Sequence, residues 1–532
     1  MRTDAPKHRF YLLLSLFGVL FLIVLFFIFA YRTPQTVDLR GFAPNDALAY
    51  FEINDLSKTL DALTENETFQ ELAKNKKDFS ALENVQIAVI VTGFETSEKQ
   101  ITDENSILNF QPHFTAIAET HAWEFQTQSL VENQINSFVE EYYGGDAKLE
   151  TSDKNGGKNY IWTANDGRKA FAFVEKSRIY FGNDETAIEK CLAAKRGETE
   201  SLLKNENLAR ALLLKNENNL TFGYISPEGV AQIANLTGVS TAIETTEDEE
   251  ERSFIARVLP QILRNTTKEI IWTAQKNGRK IEDKILVSLK DEVSSILDET
   301  LNAPADIETN APEFLPYDVF SATLYKLKNP QIAWRSLLLV TAKNTDAVSG
   351  KLIIEFSGNL LEPYGISDAE TFLSAIGSDI LTAQFDASGE KSVSIVTVKN
   401  MENIKKSIAE INFKPPPEKR ENAEIWQSED RLLTAAFIEN KLILGDAESV
   451  LKCLQTKQNR QYFKGFPASS AVSVTYTKDL DSVEKIIAVL GDMSEDKKVS
   501  SFYTTETRFT EKRIERKTIS DFGLLGTILE NQ

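Results

Sequence analysis

The chain has 532 residues, with 79 Asp and Glu against 59 Lys and Arg, a formal charge of −20. That acid excess excludes a nonspecific nucleic-acid binder, whose affinity comes from neutralising phosphates with Lys and Arg. Apolar side chains make up 42%, the ordinary globular range, which excludes disorder, collagen and low complexity; because single cores stop growing near about 250 to 300 residues, the length predicts at least two domains.

In chain order, residues 1–9 form a short basic stub with Arg2, Lys7 and Arg9, and residues 10–31 carry no charge. As a helix rising about 1.5 Å per residue, that run crosses a hydrocarbon core of about 30 Å. It predicts a transmembrane anchor, and the basic stub puts the N-terminus in the cytoplasm and the body outside it, at the inner membrane. A cleaved signal is the competing reading; the run is longer than a signal's apolar region, and Ile28 spoils the small-residue cleavage pattern at Ala30. Residues 32–40 are a juxtamembrane linker.

The body reads as strand-like runs followed by amphipathic helices: Ala47 to Ile53 then Ser57 to Leu72, Phe114 to Ala118 then Gln126 to Tyr143, and Leu220 to Ile225 then Glu228 to Leu236. Further on come Ser392 to Val398 then Met401 to Ile411, and Ala471 to Tyr476 then Ser482 to Leu490. Val131, Ile135, Phe138, Val139 and Tyr142 fall on one helical face. Ile161 to Phe181 reads as consecutive strands around turns at Asn165-Asp166-Gly167 and Lys176-Ser177. These patterns predict an α+β fold, largely antiparallel sheet covered by helices on one face.

The chain also repeats itself. Phe42-Ala43-Pro44-Asn45-Asp46 returns as Phe314-Leu315-Pro316-Tyr317-Asp318, Ile161-Trp162 as Ile425-Trp426, and Phe173-Val174-Glu175 as Phe437-Ile438-Glu439. Gly182-Asn183-Asp184 leads to Cys191-Leu192 as Gly445-Asp446 leads to Cys453-Leu454, and Glu269 to Leu289 matches Ser501 to Ile519. The body is therefore two homologous domains, residues 41–304 and 305–532, joined at a polar, proline-punctuated linker around Ala303-Pro304.

Residues with chemistry are few. Both cysteines lie on the apolar stripe of equivalent helices, which predicts buried small hydrophobes. His113 and His121 flank one strand, too far apart to chelate together as a helical pair does, and read as exposed strand-end residues. Ser-x-x-Lys occurs at Ser201, Ser388, Ser449, Ser482 and Ser494, without the partner motifs that give it meaning. No phosphate loop, dinucleotide fingerprint, Cys-x-x-Cys or calcium loop is present. The acidic run Glu247 to Glu251 reads as a solvated loop, and Gly182 and Gly445 as turn residues ahead of the helix caps Asp184 and Asp446. Asn66, Asn219, Asn235 and Asn265 match glycan acceptors. No catalytic, metal or cofactor-binding residue is assigned, and no cofactor is expected.

With its anchor, its two Pro-x-Asp strand starts and its paired Gly-Asp to Cys-Leu segments, the chain resembles an uncharacterised bacterial family of single-span, extracytoplasmic proteins with a domain of unknown function. The resemblance implies a cell-envelope location and no assigned activity. The expected function is a membrane-anchored interaction or scaffold protein with an envelope protein as partner; the alternatives are a binding module for a lipid or glycan and a hydrolase using carboxylates.

Overall fold

A computed structural model describes residues 36–532 apart from 103–104, 144, 146, 155, 217, 246–248, 302–308, 409, 421, 468, 480–481, 494–500, 511 and 531–532. The first half contributes β1 (Ala49–Ile53), β2 (Ala73–Lys76), β3 (Gln86–Thr102), β4 (Asn105–Glu119), β5 (Lys148–Lys154), β6 (Gly157–Thr163), β7 (Lys169–Glu175), β8 (Arg178–Gly182), β9 (Asn219–Ile225), β10 (Thr267–Asn277) and β11 (Lys280–Leu289). The second contributes β12 (Ser321–Lys326), β13 (Ile376–Gln384), β14 (Ser392–Val398), β15 (Glu418–Arg420), β16 (Ala423–Gln427), β17 (Thr434–Ile438), β18 (Lys441–Gly445), β19 (Ser473–Asp479), β20 (Gly491–Met493), β21 (Ser501–Thr510) and β22 (Arg513–Ser520).

All pairings are antiparallel, and the ladders run β5-β6-β7-β8-β4-β3-β1-β9-β10-β11 and then β22-β21-β19-β12-β13-β14-β18-β17-β16-β15. The second series repeats the first in reverse. Every strand after the central pair therefore has a counterpart at the same distance on the other side, and a pseudo-twofold axis passes between β11 and β22. Lys284 faces Lys517 there, each four residues beyond the residue that closes its hairpin, Lys280 or Arg513. Local chemistry repeats as well: Lys176 and Glu439, at the tight turns before β8 and β18, both take the left-handed conformation, with φ of 56° and 53°.

The halves are joined by more than this edge. Phe522, Leu525 and Leu529, at and within the last helix (Gly523–Glu530), pack into the first half's core beside Leu56, Leu60 and Leu63. Reciprocally, Val293 and Leu297 of the helix Asp291–Thr300 pack with Val340 and Phe509 of the second half. Each such apolar side chain contributes about 1.5–3 kcal/mol when buried. A small second sheet, β2 with β20, also crosses between the halves.

Several expectations are corrected. The transmembrane helix at residues 10–31 falls outside the described residues, and among those described no helix is long and apolar enough to cross a membrane. The architecture described is accordingly an α+β body built on a large antiparallel sheet, and the single-pass inner-membrane placement is corrected to what the described residues show: none of their helices supplies a span. Helices cover both faces of the sheet, not one. Ile87 and Val89 of β3 face one core while Ala88 and Ile90 face another, which is why Ile87 to Val91 is apolar at every position instead of alternating. The boundary near residue 305 lies within 302–308, outside the described residues, as does part of the acidic run Glu247 to Glu251.

A buried ion pair recurs at the same place in each half, with its carboxylate on a different strand. In the first, Arg178 Nε donates to Glu119 Oε2 at 2.6 Å across the β4–β8 ladder, and Glu119 is 1% exposed. In the second, Lys441 stands where Arg178 stands, but its cross-strand neighbour is Thr397, and its carboxylate is Asp379 of β13, 2.7 Å away. The position of Asp379 is taken in the first half by Gln86, whose amide holds the backbone of Val37 at 2.8 and 2.9 Å. Asp379 instead accepts from the hydroxyl of Thr309 at 2.6 Å. Burial alone would raise the Asp379 carboxyl, but hydrogen bonds from Lys441, Thr309 and Thr397 outweigh it and hold it below the usual range.

Candidate functional site

The cleft with the most varied chemistry lies in the first half, between the end of the helical stretch Glu124–Tyr143, the β6–β7 turn, the middle of β4 and the β8-to-helix junction. The turn is the predicted Asn165-Asp166-Gly167, with Gly167 at φ 87°. Asp166 accepts from the backbone N–H of Arg168 at 3.0 Å and from its Nε at 2.6 Å, which folds the arginine back. The same two hydrogen bonds hold the Asp166 carboxyl below its ordinary range, the backbone one foremost. So placed, the Arg168 guanidinium stands 4.7 Å over the ring of Tyr143 and 6.0 Å from that of Tyr142.

The aromatic wall follows from helical spacing. Phe138 and Tyr142, four apart, stack at 5.8 Å, and Tyr143 meets Tyr142 edge-on at 5.6 Å. Tyr143 donates to the carbonyl of Lys169 at 3.1 Å, and burial pushes its phenol up to about 12. It stays protonated at neutral pH. Tyr142 is the exposed member, 37% accessible.

Facing this wall is His113 of β4. Its Nδ1 contacts the carboxylate of Asp184, and its Nε2 lies 3.8 Å from Glu95 Oε2. Asp184 also caps the helix Glu185–Arg196, accepting from Thr186 N at 2.6 Å, so one carboxylate fixes both the helix start and the imidazole. Asn183 bridges β4 where its ladder with β8 ends, donating to Pro112 O at 2.7 Å and accepting from Phe114 N at 3.2 Å. Gly182 is required by close approach and not by a turn: a Cβ there would lie 2.3 Å from Phe114 O. Phe171, Phe181 and Val139 complete a cavity of about 610 Å³, a volume suited to a small ligand.

The lining contains no Ser, Thr or Cys. Its hydroxyls are those of the two tyrosines, so this lining supplies no serine, threonine or cysteine nucleophile. Among the described residues no group of three His, Cys, Asp or Glu is placed to hold a metal ion.

Other singled-out residues lie apart from the cleft. Cys191 and Cys453 are wholly buried, and burial raises both thiols, Cys191 to about 12, which makes them inert. His121 is not the exposed strand end expected. It is 6% exposed, at φ 52°, with its Nδ1 3.9 Å from Glu119, because the loop after β4 folds down onto the Glu119–Arg178 pair. Asn66 is fully buried, its amide donating to Leu63 O and Asp521 O, and is no glycan acceptor. Ser449 lies buried at a helix start and Lys452 is paired with Asp318 at 2.9 Å, while Ser494 lies outside the described residues. The sequence does not mark the Arg168 and Tyr143 pair; the Tyr142-Tyr143 doublet and the Asn-Asp-Gly turn are visible in it, their meeting is not.

The second half has the frame of this cleft without its contents. Gly445 repeats Gly182, with its Cβ position 2.2 Å from Ser392 O. Asp446 caps the next helix and also accepts from Ser392 N at 3.1 Å. Lys391 occupies the place of His113 and pairs with Glu448 at 2.9 Å. After β14 only the short helix Met401–Ser407 follows, so the tyrosine pair has no counterpart; beyond that helix Phe413 packs edge-on against the buried rings of Trp426 and Phe437 instead.

Compared with protein families, with curated proteins and with solved structures, the chain matches none, so relatives contribute nothing to the reading of this cleft.

Proposed function

We propose that the protein is a binding protein without catalytic chemistry, and that its ligand occupies the first-half cleft while the second half serves as scaffold. The observation that carries this reading is the asymmetry between the halves: on one duplicated frame, only the first half adds a tyrosine pair with an accessible ring, an oriented imidazole and a folded-back arginine. Of a lipid and a glycan, the glycan fits better. Tyrosine faces stack on the apolar face of a sugar ring, and Glu95, Gln111 and His113 offer polar atoms to hydroxyls, whereas a lipid chain needs an apolar enclosure that these charged residues deny it. A hydrolase loses support, since Asp166 and Asp184 are already engaged with Arg168 and with His113 and Thr186.

The test is to titrate the full chain against panels of oligosaccharides and of phospholipids. Binding of a saccharide is expected, weakened about tenfold or more by Tyr142→Ala with an unchanged melting temperature, as loss of one stacking face of roughly 1.5 kcal/mol implies. No saccharide binding, or binding indifferent to Tyr142→Ala, would overturn the reading.

A further inference from the structure

The duplication permits a second comparison, this time of surfaces. In the first half the helix Leu56–Thr64 is capped by Asp55, and in the second the helix Pro330–Lys343 is capped by Asn329 with nearly the same backbone angles, φ −150° against −145°. Aligned on those caps, Lys58, Asp61 and Glu65 correspond to Ile332, Arg335 and Leu339. The outward stripe is thus ionic in the first half and largely apolar in the second, where Ile332 and Leu339 are exposed. The next helix, Ala347–Phe356, packs against Pro330–Lys343 and extends this surface, with Val348 66% and Ile354 55% exposed. Scattered apolar residues on a surface are ordinary; several exposed on two adjoining helices, two of them at positions the sister half keeps charged, are not.

We propose that this helix pair is the contact face of a homodimer, covered by the same face of a second copy. The charges on Ala347–Phe356 identify the occupant. Lys351 and Glu355, both exposed and four apart on the outward side, are the helix's two charged residues, and among the described residues neither forms an ion pair. A twofold axis crossing the helix between them lays two copies antiparallel, so that Lys351 of each meets Glu355 of the other, with Ile354 and Val348 filling the contact. The face is therefore self-complementary in charge, as an isologous interface must be. On a molecule with a net charge of −20, which repels its own copies elsewhere, a near-neutral apolar face is where self-association costs least. The helices beneath are fixed by Val340 in the inter-half core, so the face is presented rigidly.

The experiment measures the mass of the full chain by light scattering across a dilution series, in mild detergent because of the apolar run at residues 10–31. A dimer is expected, dissociating at least tenfold more readily for Ile354→Glu, for Lys351→Glu and for Glu355→Lys. The double variant Lys351→Glu with Glu355→Lys, which restores opposite charges across the axis, is expected to recover most of the wild-type association. Unchanged far-UV dichroism confirms that the single variants fold. A monomer throughout the series, a dimer indifferent to all of these substitutions, or a double variant as weak as the sum of the singles would overturn the proposal.

Discussion

The two halves share a strand order, a turn conformation, a capped helix and a glycine under a carbonyl, yet after the third strand that each contributes to the main ladder in chain order they part. The first half follows β4 with Glu124–Tyr143, ending in three aromatic rings; the second follows β14 with Met401–Ser407. On the outer helices the contrast is reversed, with charge in the first half and apolar side chains in the second. The difference teaches that the sheet and its caps are the shared requirement, while helix length and outward residues are free to specialise, one half toward a cleft and the other toward a surface.

The buried ion pairs give the sharpest way to break that comparison. Arg178→Met leaves Glu119 buried and without its cation, and is expected to cost about 3–5 kcal/mol in urea unfolding. Lys441→Met is expected to cost less, because Thr309 and Thr397 still donate to Asp379. Equal losses would mean that the hydroxyls do not substitute for charge and that the two arrangements are equivalent.

The inter-half seam should respond to pH. Asp283 is buried and accepts from Trp272 Nε1 at 2.8 Å and from Leu524 N at 2.9 Å, but burial outweighs these bonds and raises its carboxyl to about 6. A raised folded value means that the folded state holds the proton more tightly. The resulting stability is complete below about pH 4 and is lost as pH rises through about 6, by at most about 3 kcal/mol. Other carboxylates oppose this trend, so the quantity to measure is the difference in unfolding free energy between wild type and Asp283→Asn across pH 4 to 8. A difference that does not vary with pH would remove Asp283 from the account.

Smallest in expected size is the glycine pair. Gly182→Ala and Gly445→Ala each push a methyl group into a strand carbonyl, and both are expected to destabilise by about 1–3 kcal/mol. Similar midpoints for the two variants would sharpen the case that the halves keep one frame; a tolerated substitution in either half would show that this frame has relaxed there.

How far the sequence speaks for the structure depends on the segment. Ser392 to Val398 and the helix starting at Ser482 coincide with β14 and Ser482–Leu490, because β-branched runs and 3.6-residue periodicity are local signals. The duplication is legible too, since Phe-x-Pro and Gly-Asp segments mark close contacts that only a few residues satisfy. The long β3–β4 hairpin is not, because Thr96 to Asn109 mixes polar residues without alternation and takes its strand form from pairing. Three-layer packing escapes the pattern because a strand buried on both faces loses its period of two. The cleft is invisible for a similar reason: Arg168, Tyr143 and His113 are far apart in the chain, and what brings them together is the Arg168 contact with the Tyr143 ring, the Tyr143 bond to Lys169 O and the Asp184 contact with His113, none of which has a sequence signature.

The central ladder also dictates an order of events. β11 is complete once residue 289 has been made, but its partner β22 begins only at Arg513 and is the last strand among the described residues. At about 5–20 residues per second of synthesis, the open edge of β11 waits on the order of 10 to 50 s for its match. Through that interval Leu56, Leu60 and Leu63 also lack the cover of Leu525 and Leu529. An unpaired strand edge beside an uncovered apolar face is a template for wrong pairing, so the nascent first half is the stage at which this protein most needs a chaperone.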